Sequence, residues 1–311
     1  MIATIVLVRS VACIGVGVFA MHAAGAAVPG PIEVARFEVL REPVRLPDGS
    51  ILAVGIRLRN GIQEVDARVS RDEGTFWSAP RPLFRLPREA GGFGFYATFV
   101  DRRGEVHLFL LCDGNTGSAL PVPATQVLDI WQVRSTASAT AWESPRRIWA
   151  GRAGDLLSVV QLPGGRIILP ISFQTNRSWS HRDPGFPVFT HIGRFSSSVL
   201  YSDDDGATWR QSPSILTTPT PAIGSIGGVE PDVISLKDGR VWMLIRTEMG
   251  RLYESFSPDG ATWLAPRPTA IISSESPARL VRLKDGRLLL LVNNAERFPY
   301  AFGGRHVLHA A

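Results

Sequence analysis

Glu230 and Arg246 have the residue types and the spacing of a site that could bind an acidic ligand. Glu230 begins one apolar segment just before a proline, and Arg246 closes the next apolar segment along the chain. A tight turn between the two segments would fold both residues toward the same end. Because a guanidinium can hold a carboxylate through two parallel hydrogen bonds, the pair predicts either a carboxylate-binding site or a simple ion pair between strand ends.

The turn between these segments belongs to a motif that recurs along the chain. Apolar, β-branched or leucine-rich runs flank each copy, which is typical of a β-hairpin. The five copies are Leu46-Pro47-Asp48-Gly49, Val100-Asp101-Arg102-Arg103-Gly104, Leu162-Pro163-Gly164-Gly165, Leu236-Lys237-Asp238-Gly239 and Leu283-Lys284-Asp285-Gly286. The motif therefore predicts five hairpins.

A second motif, Ser-x-Asp-x-Gly-x-Thr-Trp, lies between the hairpins. Its Asp can accept hydrogen bonds from backbone N–H groups of the turn, its Gly permits a positive φ, and its Trp can fold back as an apolar plug. The copies span 70–77, 135–142, 202–209 and 257–263, and the second has lost its Asp and Gly. They start at 70, 135, 202 and 257, so the intervals of 65, 67 and 55 residues indicate a repeated supersecondary unit.

Together the motifs give a repeated order of strand, tight hairpin, strand, longer loop, strand, Ser–Trp turn and strand. This order is typical of one four-stranded propeller blade. Blades are expected at about 37–86, 95–150, 156–216, 229–270 and from about 277. The composition agrees, because 30 Gly and 23 Pro supply many turns and no segment shows a long helical period. The sequence predicts an all-β fold.

The Ser–Trp turns resemble the Asp box, or bacterial-neuraminidase repeat, of the sialidase superfamily. In that family the box is a structural turn on the rim of each blade of a six-bladed β-propeller, away from the active site. The resemblance implies that Asp203, Asp204 and Asp205 are structural. A spacing of 55 from Ser257 would start the next box at 312, so residues 28–311 are expected to hold about five blades, with the C-terminal blade missing.

The resemblance extends to the first pair. In the family, a Glu-Pro opens one strand and an Arg closes the next. The Glu activates a tyrosine nucleophile, and the Arg is one of three that grip the carboxylate of the substrate. A phenol is a poor nucleophile until a carboxylate helps to remove its proton. The resemblance thus implies a catalytic role for Glu230 and a substrate-binding role for Arg246.

The other family residues match less closely. Arg305 lies where the third arginine is expected, and Arg41 resembles the first, with Arg57 and Arg59 as rivals. The acid/base aspartate of the family lies on a loop between the first hairpin and the first box, a region that here offers Asp66 or Glu64. Either could protonate a leaving group if burial raised its pKa. The nucleophile matches none of the four tyrosines and would lie beyond residue 311, so these residues are expected to hold an incomplete site.

Residues 1–27 carry Arg9, a short apolar run and a small-residue cleavage site, which predict a secretory signal peptide and therefore a secreted or periplasmic protein. Cys112 is then the one remaining cysteine and is expected to be buried in a strand. The six histidines show no metal-ligand spacing, and we expect no metal and no cofactor. The net charge of +5 is dispersed, which argues against a nucleic-acid partner.

These observations favour an exported glycoside hydrolase of the exo-α-sialidase type, which would cleave terminal acidic sugars from glycans. A glycan or glycoconjugate is then the expected partner, with no stable membrane insertion after signal cleavage. Two alternatives keep the fold: a glycan-binding propeller without turnover, and a propeller hydrolase or lyase for another sugar. The linkage and the oligomeric state stay open.

Overall fold

The computed structural model describes residues 41–59, 62–114, 127–174, 194–220, 226–295 and 308–311. These residues form nineteen strands and one 3-10 turn at Arg88–Ala90. The strands are β1 Arg41–Arg45, β2 Ile51–Arg59, β3 Ile62–Ser70, β4 Arg81–Arg85, β5 Phe93–Val100, β6 Val106–Cys112, β7 Asp129–Arg134, β8 Arg146–Trp149, β9 Val160–Gln161, β10 Ile167–Gln174, β11 Phe195–Ser202, β12 Arg210–Gln211, β13 Val229–Ser235, β14 Val241–Arg246, β15 Arg251–Ser257, β16 Arg267–Ile272, β17 Arg279–Arg282, β18 Leu288–Asn293 and β19 Leu308–Ala310. Within this part of the chain no helix is long and apolar enough to cross a bilayer.

The strands form five antiparallel sheets, each built from consecutive strands. Four sheets have four strands, and the fifth, β17-β18-β19, has three among the described residues. The sheets are the blades of a β-propeller, and the all-β prediction is confirmed. The family resemblance implies six blades, of which the described residues form five. Their boundaries follow the predicted blades closely.

All five predicted hairpins are present, and each turns on a glycine. In the fourth blade the backbone N–H of Gly239 donates to the carbonyl of Leu236, and Leu236 N–H donates to Arg240. Gly239 has a φ of 88°, a region that residues with a Cβ rarely adopt. Asp238 closes the turn by accepting the backbone N–H of Arg240 at 3.0 Å. The local sequence alone therefore fixes each hairpin.

The Ser–Trp turns are structural, as the resemblance implied. In the copy at 202–209, the Ser202 hydroxyl oxygen accepts the N–H of Gly206 at 2.8 Å, and Asp204 accepts the N–H of Thr208 at 2.8 Å. The copy at 257–263 repeats this arrangement, and there Trp263 folds back so that its indole N–H donates to the carbonyl of Gly260. Each box therefore satisfies its own backbone groups.

The apolar cores lie between consecutive blades, not within one blade. Each of four clusters combines side chains from two neighbouring sheets, such as Val65 with Leu110, Ile130 with Leu169, Met243 with Val199, and Leu244 with Leu280. Cys112 is fully buried in the first cluster, as predicted, and burial raises the pKa of its thiol to about 12. Blade-to-blade packing thus holds the ring together.

Each later box also packs on the preceding blade at one equivalent position. Gly206 lies on His107 of β6, and Gly260 lies on Ile168 of β10. Both contact residues stand three positions after the glycine of their own hairpin, Gly104 or Gly165. The box at 135–142, which has lost its Asp and Gly, is the degraded box. There Ala139 occupies the glycine position with a φ of 52°. It packs in the same core as Leu52, which stands three positions after Gly49 of the first hairpin.

The antiparallel order gives the propeller two distinct ends. We call the end that carries the five hairpin turns and the boxes the box end. The opposite end, where β13 begins and β14 finishes, is the mouth end. Because every first strand starts at the mouth end and every second strand returns to it, Glu230 and Arg246 both lie there.

Candidate functional site

Glu230 and Arg246 form an ion pair at the mouth end of the fourth blade. Nη1 of Arg246 lies 2.7 Å from each carboxylate oxygen of Glu230. The side chains are only 13% and 11% exposed, respectively. The prediction that the hairpin brings them together is confirmed. The direct ion pair is the simpler of the two arrangements that the sequence left open.

An irregular strand start aims Glu230 into this position. Glu230 has a φ of 49°, and the register between β13 and β14 shifts between Val229 and Asp232. A positive φ on a residue with a side chain is uncommon and costs about 1 kcal/mol or more. The N–H of Glu230 lies 3.4 Å from the hydroxyl of Ser172 on the third blade. Backbone strain at this one residue therefore coincides with the candidate site.

A second carboxylate reaches the same guanidinium. Glu275, on the connection between β16 and β17, places Oε1 3.6 Å from Nη2 of Arg246, and its side chain is 24% exposed. The Nε atom of Arg246 is buried and has no hydrogen-bond partner among the described residues. One guanidinium therefore faces two carboxylates, and part of its donor capacity is unused.

Asp232, two residues after Glu230, joins the fourth blade to the fifth. Its Oδ2 accepts the backbone N–H of Leu280 at 2.6 Å, and Oδ1 lies 3.3 Å from Nη1 of Arg279. Burial raises the pKa of Asp232, although Arg279 and these hydrogen bonds oppose the shift. Because Asp232 lies on β13 and Leu280 on β17, the carboxylate ties together the inner strands of the fourth and fifth blades.

Of the other predicted arginines, the structure describes the backbone of Arg41 but not Arg305. Arg41 begins β1, the inner strand of the first blade, and its backbone pairs with Val54. That position is at the mouth end. The C-terminal end of β2, which holds Arg57 and Arg59, is at the mouth end too. Arg305 lies outside the described residues. Its assignment, like that of Arg41, stays a prediction.

The expected acid/base loop is a strand. Glu64 and Asp66 both lie within β3, the third strand of the first blade, and are 4% and 6% exposed. The loop assignment was wrong because Val65 and Ala67 alternate with these carboxylates and pack into the apolar core. Glu64 accepts two hydrogen bonds from Arg85 of the outer strand, at 2.9 and 2.5 Å. A role for either carboxylate as acid/base stays a prediction.

A possible metal-ligand group lies at the box end of the second blade. Single ligand atoms of Asp101, Glu105 and His107 lie within 4.8 Å of one another. The prediction of no metal site rests on the spacing of the histidines and cysteines, whereas two of these three ligands are carboxylates of one hairpin. A guanidinium already lies among them: Arg103 is 2.7 Å from Glu105 and 3.5 Å from Asp101. The three side chains therefore form an ion-pair network with Arg103 beneath a box.

Sequence reasoning missed two residues of the site. Asp232 follows the Glu-Pro pair directly, and a buried carboxylate on a strand could have been suspected from its apolar neighbours. Glu275 sits in a serine-rich connection that carries no motif, and only the packing of the fourth blade against the fifth brings it to Arg246.

Comparison with known proteins places this geometry in context. A family model described as a BNR repeat-like domain matches residues 55–310. The sialidase of Clostridium perfringens is 25% identical over 196 residues, which are 56% of this chain and 48% of that protein. The chain thus spans about half the length of this curated relative.

Solved structures share the fold at low identity. A protein of unknown function from Dyadobacter fermentans superimposes with a TM-score of 0.59 at 19% identity, covering 80% of this chain and 73% of that one. A Hadza microbial sialidase gives 0.56 at 17% identity, over 82% and 53%. The intramolecular trans-sialidase of Ruminococcus gnavus gives 0.54 at 14% identity, over 82% and 76%.

Proposed function

Because the chain belongs to the BNR repeat-like family of the sialidase superfamily, we propose that it is a glycoside hydrolase of the exo-α-sialidase type. Its substrates would be glycans or glycoconjugates that end in an acidic sugar. The observation that carries the proposal is the nearly buried ion pair of Glu230 and Arg246 at the mouth end.

Arg246 would bind the carboxylate of the sugar. Glu230 contacts Arg246 through Nη1 alone and not through a two-nitrogen fork. An incoming carboxylate can therefore compete for the same guanidinium. The exchange replaces one carboxylate partner of the arginine by another and releases the carboxylate of Glu230. Arg41 and Arg305 are the candidates for further contacts to the same carboxylate.

Glu230 would act as the base once the sugar has displaced it. A released carboxylate can take the proton of the tyrosine hydroxyl as that oxygen bonds to the anomeric carbon, and the sugar–aglycone bond breaks. The leaving oxygen needs a proton from an acid, for which Asp66 and Glu64 are the candidates. Water would then release the sugar with retained configuration.

The experiment measures release of 4-methylumbelliferone from a sialoside by the full-length protein. We expect turnover in the wild type, and a loss of about 100-fold or more in kcat/KM for Arg246→Ala and Glu230→Ala. The matched control is Arg267→Ala, which breaks the 2.9 Å ion pair with Glu254 on the outer strands of the same blade. Sialoside turnover that survives Arg246→Ala would reject the site.

A glycan-binding propeller without turnover is the second candidate. The observation in its favour is that both oxygens of Glu230 accept hydrogen bonds from Arg246, so that in this state the carboxylate is held in an ion pair. Binding of a sialylated glycan without product, abolished by Arg246→Ala, would establish this function. Turnover of a uronide or arabinoside but not of a sialoside would instead assign another sugar.

We also propose that the protein is exported. The support is the signal-like segment at residues 1–27, which lies outside the described residues. Mass spectrometry of the mature protein, isolated from the periplasm or medium of a producing cell, should find a new N-terminus near residue 28. An intact N-terminus on a cytoplasmic product would contradict export.

A further inference from the structure

The guanidinium of Arg246 has three nitrogens, and each has a different environment. Nη1 donates to Glu230, Nη2 faces Glu275 at 3.6 Å, and Nε is buried without a partner among the described residues. Because Nε is out of reach of solvent, a ligand can approach only the two terminal nitrogens. Both of these already face a carboxylate.

The two carboxylates hold Arg246 differently. Glu230 lies on a strand of the same blade and makes two contacts of 2.7 Å. Glu275 belongs to the connection that leads into the fifth blade, makes one longer contact and is the more exposed of the two. Each terminal nitrogen of an arginine carries two N–H groups, so Nη2 can face Glu275 in an ion pair and donate to a ligand at the same time.

We propose that Glu275 is a positioning residue for Arg246, an inference that rests on the proposed function. When a substrate carboxylate displaces Glu230, Glu275 keeps the guanidinium at the mouth. Its negative charge also opposes that of Glu230 across the shared arginine, which weakens the resting ion pair and eases its exchange.

In the described part of the chain, other charged side chains on these two blades have partners of their own. Glu248, which follows β14, is directed to the backbone N–H of Ile226 at 3.2 Å. Asp232 and Arg279 pair with each other at 3.3 Å on the inner strands. The fold holds Glu275 in place because its neighbours Ser274 and Ser276 are buried and hydrogen-bond each other at 3.0 Å.

The test compares Glu275→Gln and Glu275→Ala with the wild-type full-length protein in sialoside hydrolysis. We expect KM to rise about tenfold in the alanine variant and less in the glutamine variant, with kcat changed by less than about threefold. The rise in KM with kcat retained, and its partial rescue by glutamine, are the signature of a residue that positions the substrate-binding arginine.

A residue that merely supports the fold would not raise KM while kcat is retained. The matched control, Glu254→Gln, removes a carboxylate from the outer pair of the same blade and should leave KM and kcat unchanged. If the wild type cleaves sialosides but both Glu275 variants match it in KM, the inference alone is overturned. If the wild type neither cleaves nor binds sialosides, the proposed function fails and the role of Glu275 falls with it.

Discussion

The two ends of the propeller use carboxylates in opposite ways. At the box end, Asp204 accepts hydrogen bonds from the backbone and hydroxyl of Thr208 and from Ser202, all within a single turn. At the mouth end, Glu230 comes from a strand and Glu275 from a connection between blades, and they share one arginine. A carboxylate bound by its own turn cannot be displaced without breaking that turn. A carboxylate bound by an arginine can be replaced by another.

The pKa of Asp204 shows this difference. Burial would raise it, but the hydrogen bonds from Thr208 and Ser202 prevail and lower it to about 2. The backbone N–H of Phe76 and the hydroxyl of Ser70 likewise lower the pKa of Asp72 in the first box. The boxes at 70–77 and 202–209 thus hold groups that are ionised at neutral pH and keep the turns folded.

The contact between box and blade offers the largest expected effect. A Cβ added at Gly206 would stand 2.8 Å from Cε1 of His107 and 2.9 Å from Nε2 of Gln132, and the φ of 79° would strain it further. We expect Gly206→Ala to lower the free energy of unfolding by about 3 kcal/mol. Chemical denaturation measures this. A loss below about 1 kcal/mol would show that the side chains around Gly206 can move to accommodate the added methyl group.

The next largest effect separates two neighbouring aspartates. Asp204→Ala should cost about 2 kcal/mol because it leaves turn donors unsatisfied. Asp203→Ala is its control: Asp203 pairs with Arg166 and Arg210 in an ion-pair network at the surface, where each pair contributes about 1 kcal/mol or less. Equal losses in the two variants would contradict the difference in their roles.

The Asp204→Ala variant also tests how the stability depends on pH. Because the folded pKa of Asp204 lies below its ordinary value of 3.8, its contribution is fully present above about pH 4 and is lost as the pH falls toward 2. Between pH 5 and pH 3 the wild type should therefore lose more stability than Asp204→Ala. Parallel stability curves would contradict this.

The smallest effect is expected in the degraded box. Ala139 holds the position that is glycine in the other copies, with a φ of 52°, and its methyl group is buried. Ala139→Gly relieves strain of about 1 kcal/mol but loses a buried methyl worth about the same. The free energy of unfolding should change by less than about 1 kcal/mol. A larger change in either direction would show that either the backbone strain or the burial of the methyl group dominates.

These contrasts explain what the sequence could predict. Hairpins and boxes are local: Asp238 and Gly239 determine their turn whatever surrounds it, and the pairing of Glu230 with Arg246 follows from that turn. Glu275 reaches Arg246 only through packing between blades, which leaves no sequence pattern. The family resemblance places Glu64 and Asp66 on a loop, although the alternation with Val65 and Ala67 indicates a strand.

The most direct test of the central claim is calorimetric binding of sialic acid to the full-length protein, with its methyl ester as the matched ligand. If Arg246 binds the carboxylate, the free acid should bind at least tenfold more tightly than the ester, and Arg246→Ala should reduce that ratio several-fold. A preference for the acid that is unchanged in Arg246→Ala, or equal binding of acid and ester by the wild type, would contradict the account.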